Sequence, residues 1–226
     1  HHDDRIGVIL EPLNDWAGVA DTLGAQRITV GGTLGINPLE ITPMTDQARE
    51  QLGADASPLT EKQERVVSFL ANFFAQRGIS MGDRRTTLEL VIETAYRNAG
   101  ITEDVTTHDR ASPTLRDVID VLEELVAEPA AFTLRTEAEA DKLEADATWL
   151  IDQLRPFAPD GQFAHLGRQS EVDFTAEDLI YLDLAQQEGR VGGRATLVMQ
   201  LLISLVYERA KQTEKEVVFV IDEARY

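Results

Sequence analysis

The 226-residue sequence contains no cysteine, and lysine supplies only four of its 21 basic residues. Without cysteine the chain can form neither a disulfide nor a thiolate metal site, and a cysteine nucleophile is excluded. No apolar run approaches the roughly 20 residues that a membrane-spanning helix requires. No secretory signal sequence opens the chain. We therefore expect a protein of a reducing, cytoplasmic compartment.

Charge of one sign dominates the composition. Forty acidic residues face 21 basic ones, which gives a formal net charge of −19. Carboxylates retain water and cations in concentrated salt, and at molar salt a Debye length of ~3 Å screens their mutual repulsion. We interpret the sequence as that of a salt-accumulating halophile. The alternative is an acidic domain that recruits a basic partner, but such regions usually concentrate their charge in blocks, whereas here it is spread evenly.

The chain divides by pattern into three regions. Residues 1–44 contain short apolar runs separated by glycine and proline, residues 45–165 read as successive amphipathic helices, and residues 166–226 return to alternating strand and helix. In the last region a strand, a long apolar helix and a second strand indicate a βαβ unit with parallel strands. The sequence therefore predicts an α/β fold interrupted by a large all-helical region.

Caps and glycines predict where the helices of the middle region begin and end. Thr60 with Gln63, and Thr114 with Asp117, have the spacing of capping boxes. Gly78 follows the first of these helices and is expected to end it.

Acidic residues follow three of the predicted strands. Asp222 and Glu223 follow the apolar run 217–221, while Glu11 and Asp183 end two other runs. The carboxyl ends of parallel strands covered on both faces form the edge where ligands of open α/β sheets bind. Asp222 could hold the water shell of a phosphate-bound Mg²⁺, and Glu223 could orient or deprotonate the attacking water. The alternative for this pair is a helix-capping or solvent-facing role. For Glu11 a plain loop signal before Pro12 is the favoured interpretation, and for Asp183 a structural role.

Phosphate-binding features are sparse. Arg190 and Arg194 flank a glycine bend, from which an arginine could reach a phosphate in a neighbouring subunit, although pairing with an acidic residue is favoured. No G-x-x-x-x-G-K-[ST] loop occurs, and the Gly-Gly bends at 31–32 and 192–193 are too short to cradle a triphosphate. Only three residues follow Glu223. We therefore expect a fragment of a larger protein whose phosphate loop precedes it.

Five stretches, taken in order, resemble the conjugative-transfer, type IV secretion ATPases of the VirB-four/TraC/TraE kind, within the HerA/FtsK group of pumping motors. The first is similar to the strand after the phosphate loop, although Glu11 stands where an Asp is usual, and the last resembles the Walker B strand with Asp-Glu-Ala. The stretches are Val8–Trp16, Gly35–Leu39, Gly161–Leu166, Leu179–Leu184 and Val218–Ala224.

This resemblance implies a partial RecA-like P-loop NTPase sheet with an all-helical insertion, and ATP and Mg²⁺ as cofactors. By this resemblance Asp222 would be the metal-side acid and Glu223 the catalytic glutamate, and Glu11 would be a candidate nucleotide-binding residue. Arg190 and Arg194 are added as candidate nucleotide-binding residues on the basis of the glycine bend alone. It also implies an oligomer, hexameric or dimeric, that contacts the secretion or conjugation machinery and acts indirectly on DNA or protein. The expected location is cytoplasmic, peripheral at the inner face of the membrane, and the fragment alone is expected to be inactive.

Two other classes of function remain open. In a non-catalytic docking module the helical region would bind a partner, Glu223 would be inert, and one helical face would expose apolar residues. In a metal-dependent phosphohydrolase or nuclease, Asp183, Asp222 and Glu223 would be ligands. That class is less favoured, because such sites usually need further acids or histidine and an acidic surface opposes contact with nucleic acid. In the fold class that the chain resembles, further strands lie beside the strand 217–221, so in a fragment without them this strand is expected to have an open edge, which promotes self-association.

Overall fold

A computed structural model describes residues 5–11, 15–29, 34–52, 57–133, 136–171, 178–183 and 194–222. Four strands form one parallel sheet in the order β2-β3-β1-β4, and short 3₁₀ turns join several of the helices. The strands are β1 (Arg5–Glu11), β2 (Gln26–Thr29), β3 (Leu179–Asp183) and β4 (Glu216–Ile221). The helices are α1 (Ala17–Thr22), α2 (Asp46–Leu52), α3 (Pro58–Gln76), α4 (Arg85–Asn98), α5 (Leu115–Ala127), α6 (Glu137–Leu154) and α7 (Arg194–Ala210).

The chain forms two compact units that alternate along the sequence. Unit 1 comprises residues 1–36, 42–56 and 170–226, and unit 2 comprises residues 37–41 and 57–169. The sheet, α1, α2 and α7 therefore belong to unit 1, and helices α3 to α6 belong to unit 2. The domain limits predicted after residues 44 and 165 stay predictions.

In unit 1 the central strand β1 presents its two faces to different helices. Val8 lines a cavity of ≈190 Å³ together with Val206 of α7, so α7 lies on that face. On the opposite face, Ile9 and Tyr181 pack against α1. Because side chains alternate along a strand, Glu11 lies on the α1 face with Ile9.

The apolar run 217–221 is typical of a parallel strand covered on both faces, but β4 is not buried in that way. Val218 and Val220 are each 42% exposed. Among the described residues β4 pairs only with β1 and ends the strand order. The expected open edge is therefore present in the described part of the sheet.

Unit 2 is all-helical around an aromatic cluster, as the spacing of apolar residues predicts. The ring centroid of the buried Phe73 lies 4.7 Å from that of Phe157 and 5.6 Å from that of Phe163. The short segment 37–41 is tied to the helices because the Tyr96 hydroxyl donates to the Leu39 carbonyl at 2.6 Å.

The helix boundaries confirm one predicted cap and correct another. The Thr114 backbone N–H donates to the Asp117 carboxylate at 2.7 Å, which completes the predicted capping box of α5. Helix α3 begins earlier than predicted, because Ser57 is its N-cap and accepts from the Thr60 backbone N–H at 3.1 Å. Gly78 has φ = 71° just after α3, a conformation that glycine adopts without strain.

Candidate functional site at the carboxyl edge of the sheet

Three carboxylates lie in a row at the carboxyl ends of three neighbouring strands. Glu11 of β1 is in register with Asp183 of β3. On the other side of β1, the Asp222 backbone N–H donates to the Leu10 carbonyl at 3.0 Å, which places Asp222 beside the end of β1. Since neighbouring strands are about 4.8 Å apart, three acidic residues share one short stretch of the edge.

The central carboxylate, Glu11, is buried and held by hydrogen bonds. It is 1% exposed, and its Oε2 accepts from the Tyr181 hydroxyl at 2.6 Å and from the Trp16 backbone N–H at 3.3 Å. Burial raises the pKa of the Tyr181 phenol, and the hydrogen bond to Glu11 and the negative charge of Glu11 raise it further. The phenol therefore stays protonated as a donor to Glu11.

The carboxylate of Asp183 forms an ion pair. Its Oδ2 accepts from Arg27 Nε at 3.0 Å and from Arg27 Nη2 at 2.6 Å, and the Asp183 side chain is 5% exposed. The hydrogen bond with Asp183 raises the pKa of the Arg27 guanidinium. This pair neutralises Asp183, which disfavours its use as a metal ligand in a phosphohydrolase or nuclease.

The third carboxylate, Asp222, is half-buried at the edge of the sheet. Its Oδ2 accepts from the Trp16 indole Nε1 at 2.7 Å. Among the described residues, no three side chains of His, Cys, Asp or Glu are grouped to hold a metal ion. Mg²⁺ at nucleotide sites nevertheless needs only one or two carboxylates together with waters and phosphate oxygens. An oxygen donor on a strand end at this edge therefore fits a Mg²⁺ site.

The other predicted site residues lie largely beyond the described ranges. Glu223 and Arg190 fall outside them, and Arg194 is the first residue of α7. The structure thus brings Glu11, Asp183 and Asp222 to one edge.

Sequence reasoning missed the partners of these acids, namely Trp16, Arg27 and Tyr181. Tyr181 lies two positions before Asp183 in β3, so strand alternation alone places both on one face. Trp16 and Arg27 carry no comparable signal, since their contacts depend on which strands are neighbours.

Within the described ranges, no helix has both the length and the apolar composition needed to cross a membrane. No family model matches the sequence, and no curated protein matches it significantly. Among solved structures, the chain is similar to VirB4 of Thermoanaerobacter pseudethanolicus, with 19% sequence identity and a TM-score of 0.74. The match covers 97% of this chain and 75% of that one. The similarity establishes the fold, and it confirms the expected α/β architecture with a partial parallel sheet and a large helical region.

Proposed function

We propose that this chain is part of an ATP-hydrolysing motor that powers conjugative DNA transfer or type IV secretion. The observation that carries the proposal is the position of Asp222, at the carboxyl edge of a parallel sheet, in a chain that shares the fold of a VirB4 over 97% of its length. In open α/β sheets this edge is where ligands bind. The neighbouring residue, Glu223, supplies a second carboxylate directly after Asp222.

The two acids have different roles in this proposal. Asp222 would hold Mg²⁺ through water, and the bound ion would supply charge stabilisation at the phosphates. Glu223 orients a water molecule for attack on the γ-phosphorus of ATP and takes its proton. The bond from the γ-phosphorus to the bridging oxygen breaks, and ADP and phosphate leave.

The nucleotide site also needs a phosphate loop and an arginine in addition to the two acids. The phosphate loop must be supplied by other residues, since no G-x-x-x-x-G-K-[ST] motif occurs in the sequence. Arg190 or Arg194 reaches a phosphate bound to an adjacent subunit of an oligomer, where an arginine stabilises transition-state charge. Glu11, held by Tyr181 beside Asp222, supports the edge rather than contacting nucleotide.

The docking-module alternative receives no support from the described helices of unit 2. In the described part of unit 2, no large apolar side chain is exposed. The exposed ones are all in unit 1: Trp16, Val19, Leu23, Ile203, Val218 and Val220. Exposed apolar residues therefore do not favour a docking face on the helices of unit 2.

The test is ATP hydrolysis in molar KCl by the protein with its flanking sequence on both sides. We expect Glu223→Gln to bind ATP but to lose turnover by about 10² to 10⁴-fold, because it removes the general base. Glu64→Gln, the same change at an exposed position of α3, is the matched control and should retain the parent rate. Turnover by Glu223→Gln at the parent rate would refute the assignment of Glu223.

A further inference from the structure

Trp16 lies between two of the strand-end carboxylates and contacts both. Its backbone N–H donates to Glu11 at 3.3 Å, and its indole Nε1 donates to Asp222 at 2.7 Å. The backbone of Trp16 is fixed on its other side, because its carbonyl accepts from the Ala20 N–H at 2.8 Å in the first turn of α1. Ala17 and Ala20 in turn pack on Tyr181 of β3. The indole is thus presented to Asp222 from an anchored position.

We propose that Trp16 is a positioning residue that sets the orientation of the Asp222 carboxylate for a divalent cation. This inference rests on the proposed function, since it concerns the same metal-side acid. A carboxylate has about four acceptor sites on its two oxygens, and the indole N–H occupies one of them. The hydrogen bond restricts rotation of the carboxylate, which is what a partner behind a metal ligand does.

The group that donates to Asp222 differs chemically from the group that donates to Asp183. Asp183 receives a guanidinium from Arg27, which cancels its charge. The indole that Asp222 receives is a donor only and carries no charge of its own. It therefore orients the carboxylate without adding a positive charge that would repel a cation.

Packing alone does not explain the position of the ring. The Trp16 side chain is 41% exposed, although burial is what usually makes a tryptophan stabilising. The Trp16 indole is accessible to solvent, and its single N–H donates to Asp222. It is therefore placed to respond when a cation binds Asp222. The indole N–H resonance of Trp16 should therefore report on Asp222.

The first experiment uses this chain alone. The sequence has two tryptophans, so Trp149→Phe leaves Trp16 as the only indole, observed by ¹H–¹⁵N NMR during a Mg²⁺ titration. We expect Asp222→Asn to shift the resonance and to abolish its response to Mg²⁺. Asp21→Asn, the same change on an exposed position of α1, is the control for general ion binding and should leave both unchanged. A resonance insensitive to Asp222→Asn would overturn the inference.

The second experiment measures the Mg²⁺ dependence of ATP hydrolysis in the protein with its flanking sequence. Trp16→Phe keeps the ring and removes the donor, and we expect it to raise the half-saturating Mg²⁺ concentration about tenfold with a smaller change in kcat. A merely structural role would leave this concentration unchanged.

The two proposals fail in different ways. If Asp222→Asn raises the Mg²⁺ requirement and Trp16→Phe does not, the positioning role is wrong and the motor stands. If Asp222→Asn leaves the Mg²⁺ requirement unchanged, the proposed role of Asp222 is wrong, and the inference about Trp16 is wrong as well.

Discussion

Replacing Tyr181 with phenylalanine removes one hydroxyl group and leaves the ring in place. Because the ring is retained, packing against Ala17 and Ala20 persists and no large cavity forms. What is lost is the 2.6 Å hydrogen bond to the Glu11 carboxylate, which is 1% exposed. A hydrogen bond to a charged group contributes about 1.5–3 kcal/mol. We therefore expect the free energy of unfolding of unit 1 to fall by about 2 kcal/mol.

Each unit contains one tryptophan, so its unfolding can be followed separately. Trp16 belongs to unit 1 and Trp149 to unit 2. In a Trp149→Phe background, denaturant unfolding followed by Trp16 fluorescence measures the effect of Tyr181→Phe. The matched control is Tyr96→Phe in unit 2, followed by Trp149. It also loses a buried hydroxyl, but the Tyr96 acceptor is a neutral carbonyl, so we expect about 1 kcal/mol.

The same variant should change the alkaline pH dependence. The folded pKa of Tyr181 is raised by burial, by the hydrogen bond to Glu11 and by the charges of Glu11 and Asp183, against an opposing effect of Arg27. Its stabilising contribution is therefore complete below the unfolded value of about 10 and is lost above it, at up to about 1.4 kcal/mol per pH unit. Tyr181→Phe should lack this decrease. A loss below about 0.5 kcal/mol at neutral pH, or an unchanged alkaline slope, would refute the reasoning.

Two further perturbations test unit 1. Lys211 Nζ lies 2.6 Å from the Glu208 carboxylate, with side chains 8% and 1% exposed, so Lys211→Met should cost about 3 kcal/mol by removing the ammonium that compensates this buried negative charge. The double variant with Glu208→Leu should recover most of that loss in denaturant unfolding, and an additive loss would contradict the pairing argument. The open edge of β4 predicts self-association of the parent chain in low salt, and Val220→Lys, which charges that edge, should reduce it in sedimentation velocity. Equal sedimentation of parent and variant would show that the edge is not the contact.

Much of the secondary structure could be predicted, because the signals are local. The apolar runs that end in Glu11 and Asp183, and the run that precedes Asp222, are strands. Thr114 with Asp117 caps its helix as its spacing indicates. Helix α3 begins at Pro58 rather than after Thr60, because proline favours the first helical position and Ser57 before it serves as the N-cap.

The exposure of β4 could not be predicted from its sequence. Five consecutive apolar residues are compatible with burial on both faces, but exposure depends on which elements lie beside the strand. The contacts of the candidate site could not be predicted from the sequence either. Its acids are visible as strand ends, yet Arg27 and Asp183 are 156 positions apart and meet only because β2 and β3 are neighbours.

The position of β1 in the middle of the sheet has a consequence for the order of events during synthesis. Glu11 and its partner Tyr181 are 170 positions apart, and Arg5 and its partner Glu216 are 211 apart. At about 5–20 residues per second, the ribosome makes the neighbours of β1 roughly 10 to 40 s after β1 itself. Unit 2, which ends at residue 169, is complete before either neighbour exists. Strand β1 must therefore remain without its two described neighbours while the helical unit folds. We expect a chaperone to bind β1 in the nascent chain during this interval.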